Sequence, residues 1–303
     1  MRNRPSTIDP VTTTLLLAKK IKKYNDSFQK PSDIILHGGE PGLIGLGQLE
    51  EIVDGIHQAG AAVSFVTNLA FARLNDRWLA LLARFDHFGV SLNGDERGNA
   101  GRAFKNGRAS FPLVTRNLRA LREAKVQNYG IICTVTRDNV GRGFDTAIFL
   151  HSLCTDVKIL PMDQPNFKPM ELATFLEESL RAFLVLDDPE FRLSSVDEGL
   201  RLLKGIDPLS CTLSRQFACK YNITVKLNGD VLPCDSVGVD LFQIGGNLFQ
   251  TEMDEILSGP KWSGLMHQFE SAKKSQFHCA CTNGVYLEAW QKYVNTLKET
   301  LGS

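Results

Sequence analysis

A chain of 303 residues suits two modest domains or one large α/β domain with an appendage. With 43% hydrophobic and 22% charged residues it can bury a sizeable core, which excludes wholesale disorder. Its 34 Lys+Arg balance 34 Asp+Glu, which argues against a nucleic-acid or strongly membrane-attracted protein, and no apolar run approaches the roughly 18 residues of a membrane span.

The N-terminus carries only one apolar run, Leu15-Leu16-Leu17-Ala18, too short for a signal peptide, so the expectation is a cytoplasmic protein. Asp9-Pro10 opens a predicted helix to about Tyr24, before any strand. Short β-like runs then follow at Asp33–His37, Ala62–Thr67, Phe88–Leu92, Gly130–Thr136 and Val157–Leu160. Between them Gln48–Ala59, Asn75–Arg84, Phe111–Ala124 and Asp145–Leu153 carry apolar residues at helical spacing. Phe111–Ala124 has Ser110 as its N-cap and Pro112 in its first turn. Such alternation predicts a parallel sheet with right-handed crossovers, open or wound into a barrel, with ligands at the C-terminal strand ends. A chain of this type ordinarily starts on a strand, so the first strand is expected to be missing. After residue 161 the repeat is expected to stop, leaving helices at Met170–Leu186 and Ser195–Leu203. Ile223–Leu227 and Asp230–Leu232, joined across Asn228-Gly229, predict a hairpin. A domain change is placed near residue 205, dividing the chain into 1–205 and 206–303.

Polar residues stand at three successive strand tips. His37-Gly38-Gly39-Glu40-Pro41 follows the first strand, where paired glycines let a ligand approach the backbone. Thr67-Asn68 ends the second, and Ser91-Leu92-Asn93-Gly94 the third. Each alone is explained by turn chemistry; three on one edge are harder to dismiss. None of the seven cysteines precedes Cys133, whereas Cys211, Cys219, Cys234, Cys279 and Cys281 crowd the last third. The hairpin brings Cys219 and Cys234 together, and the clustered thiolates suit either a zinc ion or an iron–sulfur cluster. Cys133 and Cys154, inside apolar runs, are expected to be core residues.

Together these residues resemble the radical S-adenosylmethionine (SAM) enzymes with a SPASM or twitch extension, a group that includes anaerobic sulfatase-maturing enzymes and maturases of ribosomal peptides. Gly38-Gly39-Glu40-Pro41 is similar to the family's GGEP, whose backbone binds the SAM amino group; Thr67-Asn68 resembles its second-strand TN. Ser91-Leu92-Asn93-Gly94 resembles its S-[IL]-D-G, with Asn93 in place of Asp. Arg102 fits the arginine after that motif, and Asn139 the Asn after the strand ending TVT. Cys219 to Cys234 fits C-x9-15-G-x4-C, and Ile244–Leu248 the family's GN segment. The resemblance implies an α/β fold: a partial (β/α)6 TIM-like barrel missing its first strand, followed by a small cysteine-rich hairpin domain. It implies SAM bound by Gly38, Gly39, Glu40, Pro41, Thr67, Asn68, Ser91, Asn93, Arg102 and Asn139. One auxiliary [4Fe–4S] cluster would be held by Cys211, Cys219 and Cys234 with one or both of Cys279 and Cys281, since two clusters need about eight ligands. It implies a 5′-deoxyadenosyl radical abstracting hydrogen from a peptide or protein, with Asp235 as proton acceptor and a flavodoxin or ferredoxin as reductant. The defining CxxxCxxC is absent from the 303 residues. In the family it precedes GGEP in the loop after the first strand, and Gly38 lies 37 residues from Met1, so a truncated or mis-started chain is expected. The alternatives are a non-catalytic binding protein that has lost the initiating cluster, or a structural zinc site in the hairpin domain. Neither the substrate nor the oligomeric state is legible.

Overall fold

Asp9 starts the first helix as its position suggests: its carboxylate accepts the Thr12 N–H at 3.0 Å, and α1 runs Pro10–Ser27. The computed structural model describes residues 9–27, 29, 33–161, 167–206, 223–233, 245–274 and 284–301. Six parallel strands follow in sequence order, β1 (Asp33–Leu36), β2 (Ala62–Thr67), β3 (His87–Ser91), β4 (Tyr129–Val135), β5 (Asp156–Pro161) and β6 (Arg192–Leu193). Helices α2 (Leu46–Gln58), α3 (Asp76–Leu82), α4 (Phe111–Glu123), α5 (Gly143–His151) and α6 (Pro169–Leu186) make the crossovers, and α7 (Ser194–Leu203) follows β6 directly. A strand order without inversions is that of a partial barrel: each crossover advances one place, so all strand C-termini open on one rim.

The sequence explains the layers. In α2, Leu49, Ile52, Val53 and Ile56 repeat at helical spacing and are each 1% exposed or less. Burying each such side chain contributes about 1.5–3 kcal/mol. In β2, Val63, Ser64 and Phe65 are buried consecutively, as a strand covered on both faces requires. Phe65 of β2 stacks at 4.9 Å on Phe85, just before β3, and Phe88 of β3 stacks at 5.6 Å on Tyr129 of β4. Cys133 and Cys154 are buried in this core, as expected.

Two expectations are corrected. The repeat does not stop at residue 161, because α6 delivers β6 alongside β5, pairing Asp156 with Arg192 and Val157 with Leu193. A two-residue strand carries no periodicity to detect. Ser110 occupies the N-cap of α4 but makes no side-chain cap; its backbone is already helical, and its hydroxyl donates to the Arg102 carbonyl at 3.0 Å.

Beyond α7, β7 (Thr224–Val225) and β8 (Asp230–Leu232) form the predicted hairpin, with Gly229 at φ 84°, and β9 (Gly246–Asn247) adds antiparallel to β8. This small sheet packs with α8 (Met253–Ser258) and α9 (Pro260–Lys274) in a second core of Val231, Leu248, Met253, Ile256 and Trp262. A Cβ on Gly245 would lie 2.4 Å from the Trp262 ring, so only glycine permits that approach. Leu17 of α1 completes this core, while Lys20 and Lys23 reach Glu252 at 3.0 and 3.1 Å. Val11 and Ala18 of the same helix belong to the barrel core, so α1 joins the two. The last helix, α10 (Gly284–Leu301), returns to the barrel, placing Ala289, Trp290, Tyr293 and Leu297 in the first core against α6 and α7. No helix among the described residues is long and apolar enough to cross a membrane.

Candidate functional site

After β1 the chain turns through Gly38 at φ 90° and Gly39 at φ 59°, conformations that L side chains rarely adopt. A Cβ at either glycine meets nothing within 4 Å, so open space lies over both. Glu40 is extended, as expected before proline, and Pro41 opens a 3-10 turn to Ile44 in which Pro41 and Gly42 are buried. The Glu40 carboxylate accepts from the Thr67 hydroxyl at 2.7 Å, the Asn68 N–H at 2.7 Å and the Gly42 N–H at 3.1 Å. Its oxygens thus tie the glycine loop to the tip of β2 through charge-assisted bonds. Thr67 and Asn68 also accept the N–H groups of Leu69 and Ala70, both at 2.8 Å, which is turn chemistry working beside the loop anchor.

A second network spans the tips of β3 and β4. Asn93, 4% exposed, uses three groups at once. Its N–H donates to Asn99 Oδ1 at 2.9 Å, its carbonyl accepts from Asn139 Nδ2 at 2.9 Å, and its Oδ1 accepts from the Thr134 N–H at 3.2 Å. Arg102 Nη2 donates to the same Oδ1 at 3.2 Å. Asn139 is 1% exposed and caps its own turn, accepting the Thr136 N–H at 2.8 Å. Ser91, half-buried, pairs with Ile132 at the end of β3. Gly94, at φ 108°, makes the turn out of the strand, and a Cβ on Gly98 would come within 2.3 Å of the Asn93 carbonyl oxygen. Burial pulls the Arg102 pKa below its usual value, because desolvation opposes the charged form. The neighbouring Cys133 thiol is pushed up to about 12 by the same cause, and so stays neutral and inert.

Sequence reasoning did not single out Asp95, Asn99 or Arg142. Arg142 grips Asp95 in a two-pronged pair at 2.9 and 2.7 Å, linking the turn after β3 to the start of α5. The hydrogen bonds from Arg142 hold the Asp95 carboxyl below its usual range. Asn99 braces the same turn, donating to the carbonyls of Gly94 at 2.6 Å and Asp95 at 2.8 Å. Their signal was the density of polar residues in Asn93–Asn99, directly after a strand. Thus Glu40, Thr67 and Asn68 are brought together, as are Asn93, Arg102 and Asn139. Cys211, Cys219, Cys234, Asp235, Cys279 and Cys281 lie outside the described residues. Among the described residues no three metal-ligating side chains gather.

Residues 211–283, which contain those five cysteines, match the SPASM family, an iron–sulfur cluster-binding domain. Over 250 residues the chain is 24% identical to the cysteine-type anaerobic sulfatase-maturating enzyme of Clostridium novyi (strain NT). That alignment takes in 76% of this chain and 66% of the relative, so it spans a little under two thirds of the relative's length. Among solved structures, anSMEcpe with bound AdoMet aligns at a TM-score of 0.77 and 18% identity, covering 96% of this chain and 84% of that one. Streptococcus suis SuiB bound to S-adenosylmethionine aligns at 0.62 and 14% identity, covering 88% and 62%. Both share the fold. Fold, relative and domain match agree: the chain shares the fold of these SAM-bound structures, is similar to an anaerobic sulfatase-maturating enzyme, and carries a SPASM-type segment over residues 211–283.

Proposed function

We propose that this chain is a peptide- or protein-modifying radical SAM protein, with residues 1–205 forming the SAM-binding barrel and 206–303 an auxiliary-cluster domain. The support is a coincidence within one chain: an open, positive-φ glycine pair at a strand tip, and a SPASM match enclosing five cysteines. The strand-tip residues fit an adenosylated amino acid. Gly38 and Gly39 offer uncovered backbone to an ammonium group, Arg102 offers a guanidinium to a carboxylate, and Ser91, Thr67, Asn68 and Asn139 offer short polar groups. Bound beside a reduced iron–sulfur cluster, SAM supplies a hydrogen-abstracting radical.

What this chain contributes is positioning. Glu40 spends its oxygens on the loop and β2, so its own role is to hold the glycines in their left-handed turn. Asn93 and Asn139, both buried, fix the opposite tips. The auxiliary cluster is assigned to Cys211, Cys219 and Cys234 with Cys279, Cys281 or both, and Asp235 is assigned to accept the proton released as the substrate is oxidised. The 303 residues contain no CxxxCxxC, so they are assigned to holding SAM and not to the cluster that cleaves it. A peptide substrate is favoured because anSMEcpe is solved with the Cp18Cys peptide and SuiB with precursor peptide SuiA. The electron source of such chemistry is a low-potential carrier, a flavodoxin or ferredoxin.

Anaerobic reconstitution followed by iron, sulfide and zinc analysis tests this reading. About four irons and four sulfides per chain are expected, lost together in Cys219→Ala and Cys234→Ala variants. Zinc without sulfide would replace the cluster reading with a structural zinc site. In a protein that also carries the upstream cluster-binding segment, Asp235→Asn should lower product formation and leave iron content unchanged, and unaffected turnover would remove Asp235 from the mechanism.

A further inference from the structure

One face of the sheet carries a charge that the strand-tip networks do not use. In β3, β4 and β5, Val90, Ile131 and Ile159 belong to the first core, shared with the helices. Side chains alternate along a strand, so Ser91, Ile132 and Lys158 face the other way, into the barrel. Ser91 pairs with Ile132 and Ile132 with Lys158, so the three make one rung of the inner face. Two strand spacings, about 10 Å, separate Lys158 from Ser91. Lys158 is exposed, and among the described residues it makes no hydrogen bond or ion pair. It is also the only lysine or arginine in β1 to β5, a setting in which lysine is disfavoured. A Cβ on Gly89 would lie 2.6 Å from Ile132 Cδ1, so Ile132 lies across the bare backbone of β3. The inward acids are directed elsewhere. Asp33 accepts from the Ser64 hydroxyl at 2.9 Å, and Asp156 lies against Gly130, where a Cβ would meet its Oδ2 at 3.3 Å. A lone ammonium beside apolar groups, carried on a strand, is a ready partner for a carboxylate.

We propose that Lys158 determines substrate specificity: its ammonium takes a carboxylate of the peptide while a neighbouring residue of that peptide is presented toward Ser91 and the SAM site. The substrate class is therefore a peptide with a carboxylate close to the residue that is modified, on an Asp or Glu side chain or at a free chain end. This rests on the peptide-modifying reading above. The alternation of β5 sets the choice, since a shift of one residue would turn Lys158 into the core and Ile159 toward the ligand. A strand also fixes the Cα, so only the side chain has to find the carboxylate.

The test is affinity selection on the full chain from two synthetic libraries of random acetylated peptides, one amidated and one with free C-terminal carboxylates, read by mass spectrometry. The native chain should enrich Asp or Glu at a fixed distance from a shared residue by about tenfold, the worth of one charge-assisted hydrogen bond. Enrichment of the free-acid library alone would assign the carboxylate to the chain end. Lys158→Gln should abolish the acidic preference, and Lys158→Glu should replace it with Lys or Arg. Converting the selected carboxylate to its amide should cost the native chain about tenfold in affinity and leave Lys158→Gln within about twofold. Both variants should melt like the native chain, because the side chain has no partner to lose. A merely structural role would lower melting and weaken every peptide alike. Enriched peptides without a carboxylate preference, or a preference that survives in Lys158→Gln, overturn the inference and leave the peptide reading standing. No enriched peptide overturns the peptide reading, and this inference with it.

Discussion

At the scale of residues, neighbours in one short motif do different work. Gly39 faces open space at φ 59°, so Gly39→Ala adds no clash and costs only the strain of a left-handed L-residue, about 1–2 kcal/mol. Its Cβ enters the space over the loop, so SAM affinity should fall by more than stability does, as titration beside urea unfolding would show. Glu40→Gln reverses that order: charge is lost from an acceptor of three hydrogen bonds, and unfolding should become easier by about 1–2 kcal/mol. A variant that unfolds like the native chain would refute the anchoring role. Asp95 carries a pH signature. Its folded-state pKa is depressed, so its stabilising contribution is present above the unfolded value near 3.8 and is lost as pH falls through the lower folded value. The native chain should therefore exceed Asp95→Asn by about 1 kcal/mol at pH 7, and thermal melts should converge in acid. The sequence made the strand-tip residues visible because small polar groups after apolar runs stand out. It could not show that Glu40 turns toward Thr67, 27 positions on, which depends on β1 and β2 lying side by side, or that Asn99 folds back under Asn93, which depends on the path of the loop after β3.

At the scale of elements, legibility followed length and period. The first five strands were recoverable because each is a short apolar run between helical stretches, whereas β6 and β9 are two-residue pairings imposed by their neighbours. Ser110 shows the limit of a local rule: the helix starts where the sequence says, but the hydroxyl serves the Arg102 loop instead of the helix end. Close packing of elements makes two glycines informative. Gly55 of α2 leaves room for Leu15 of α1, whose side chain a Cβ would meet at 2.1 Å, and Gly245 leaves room for Trp262. Gly245→Ala should destabilise the small sheet by about 1–3 kcal/mol, since a rigid indole must shift. Tryptophan fluorescence during denaturation would register it, and unchanged melting would mean that α9 adjusts freely.

At the scale of the molecule, the first and last helices do the joining. α1 contributes to both cores, and α10 closes on α6 and α7 through Trp290, Tyr293 and Leu297, with Gly199 giving the last two room. Thr296 donates to Glu177 at 2.9 Å across that seam. Leu297 is 1% exposed, so Leu297→Ala should cost about 2–5 kcal/mol in urea unfolding, far more than a solvent-facing terminal helix would show. The return of α10 to the barrel was not legible in the sequence, because an amphipathic helix does not name the surface it covers. That return also orders events in time. On the ribosome, α6 and α7 are made before the cysteine-bearing stretch and α10 only after it. Until residues 289–297 emerge, the apolar faces they cover stand bare, and a nascent chain halted among its cysteines offers those faces to chaperones and proteases.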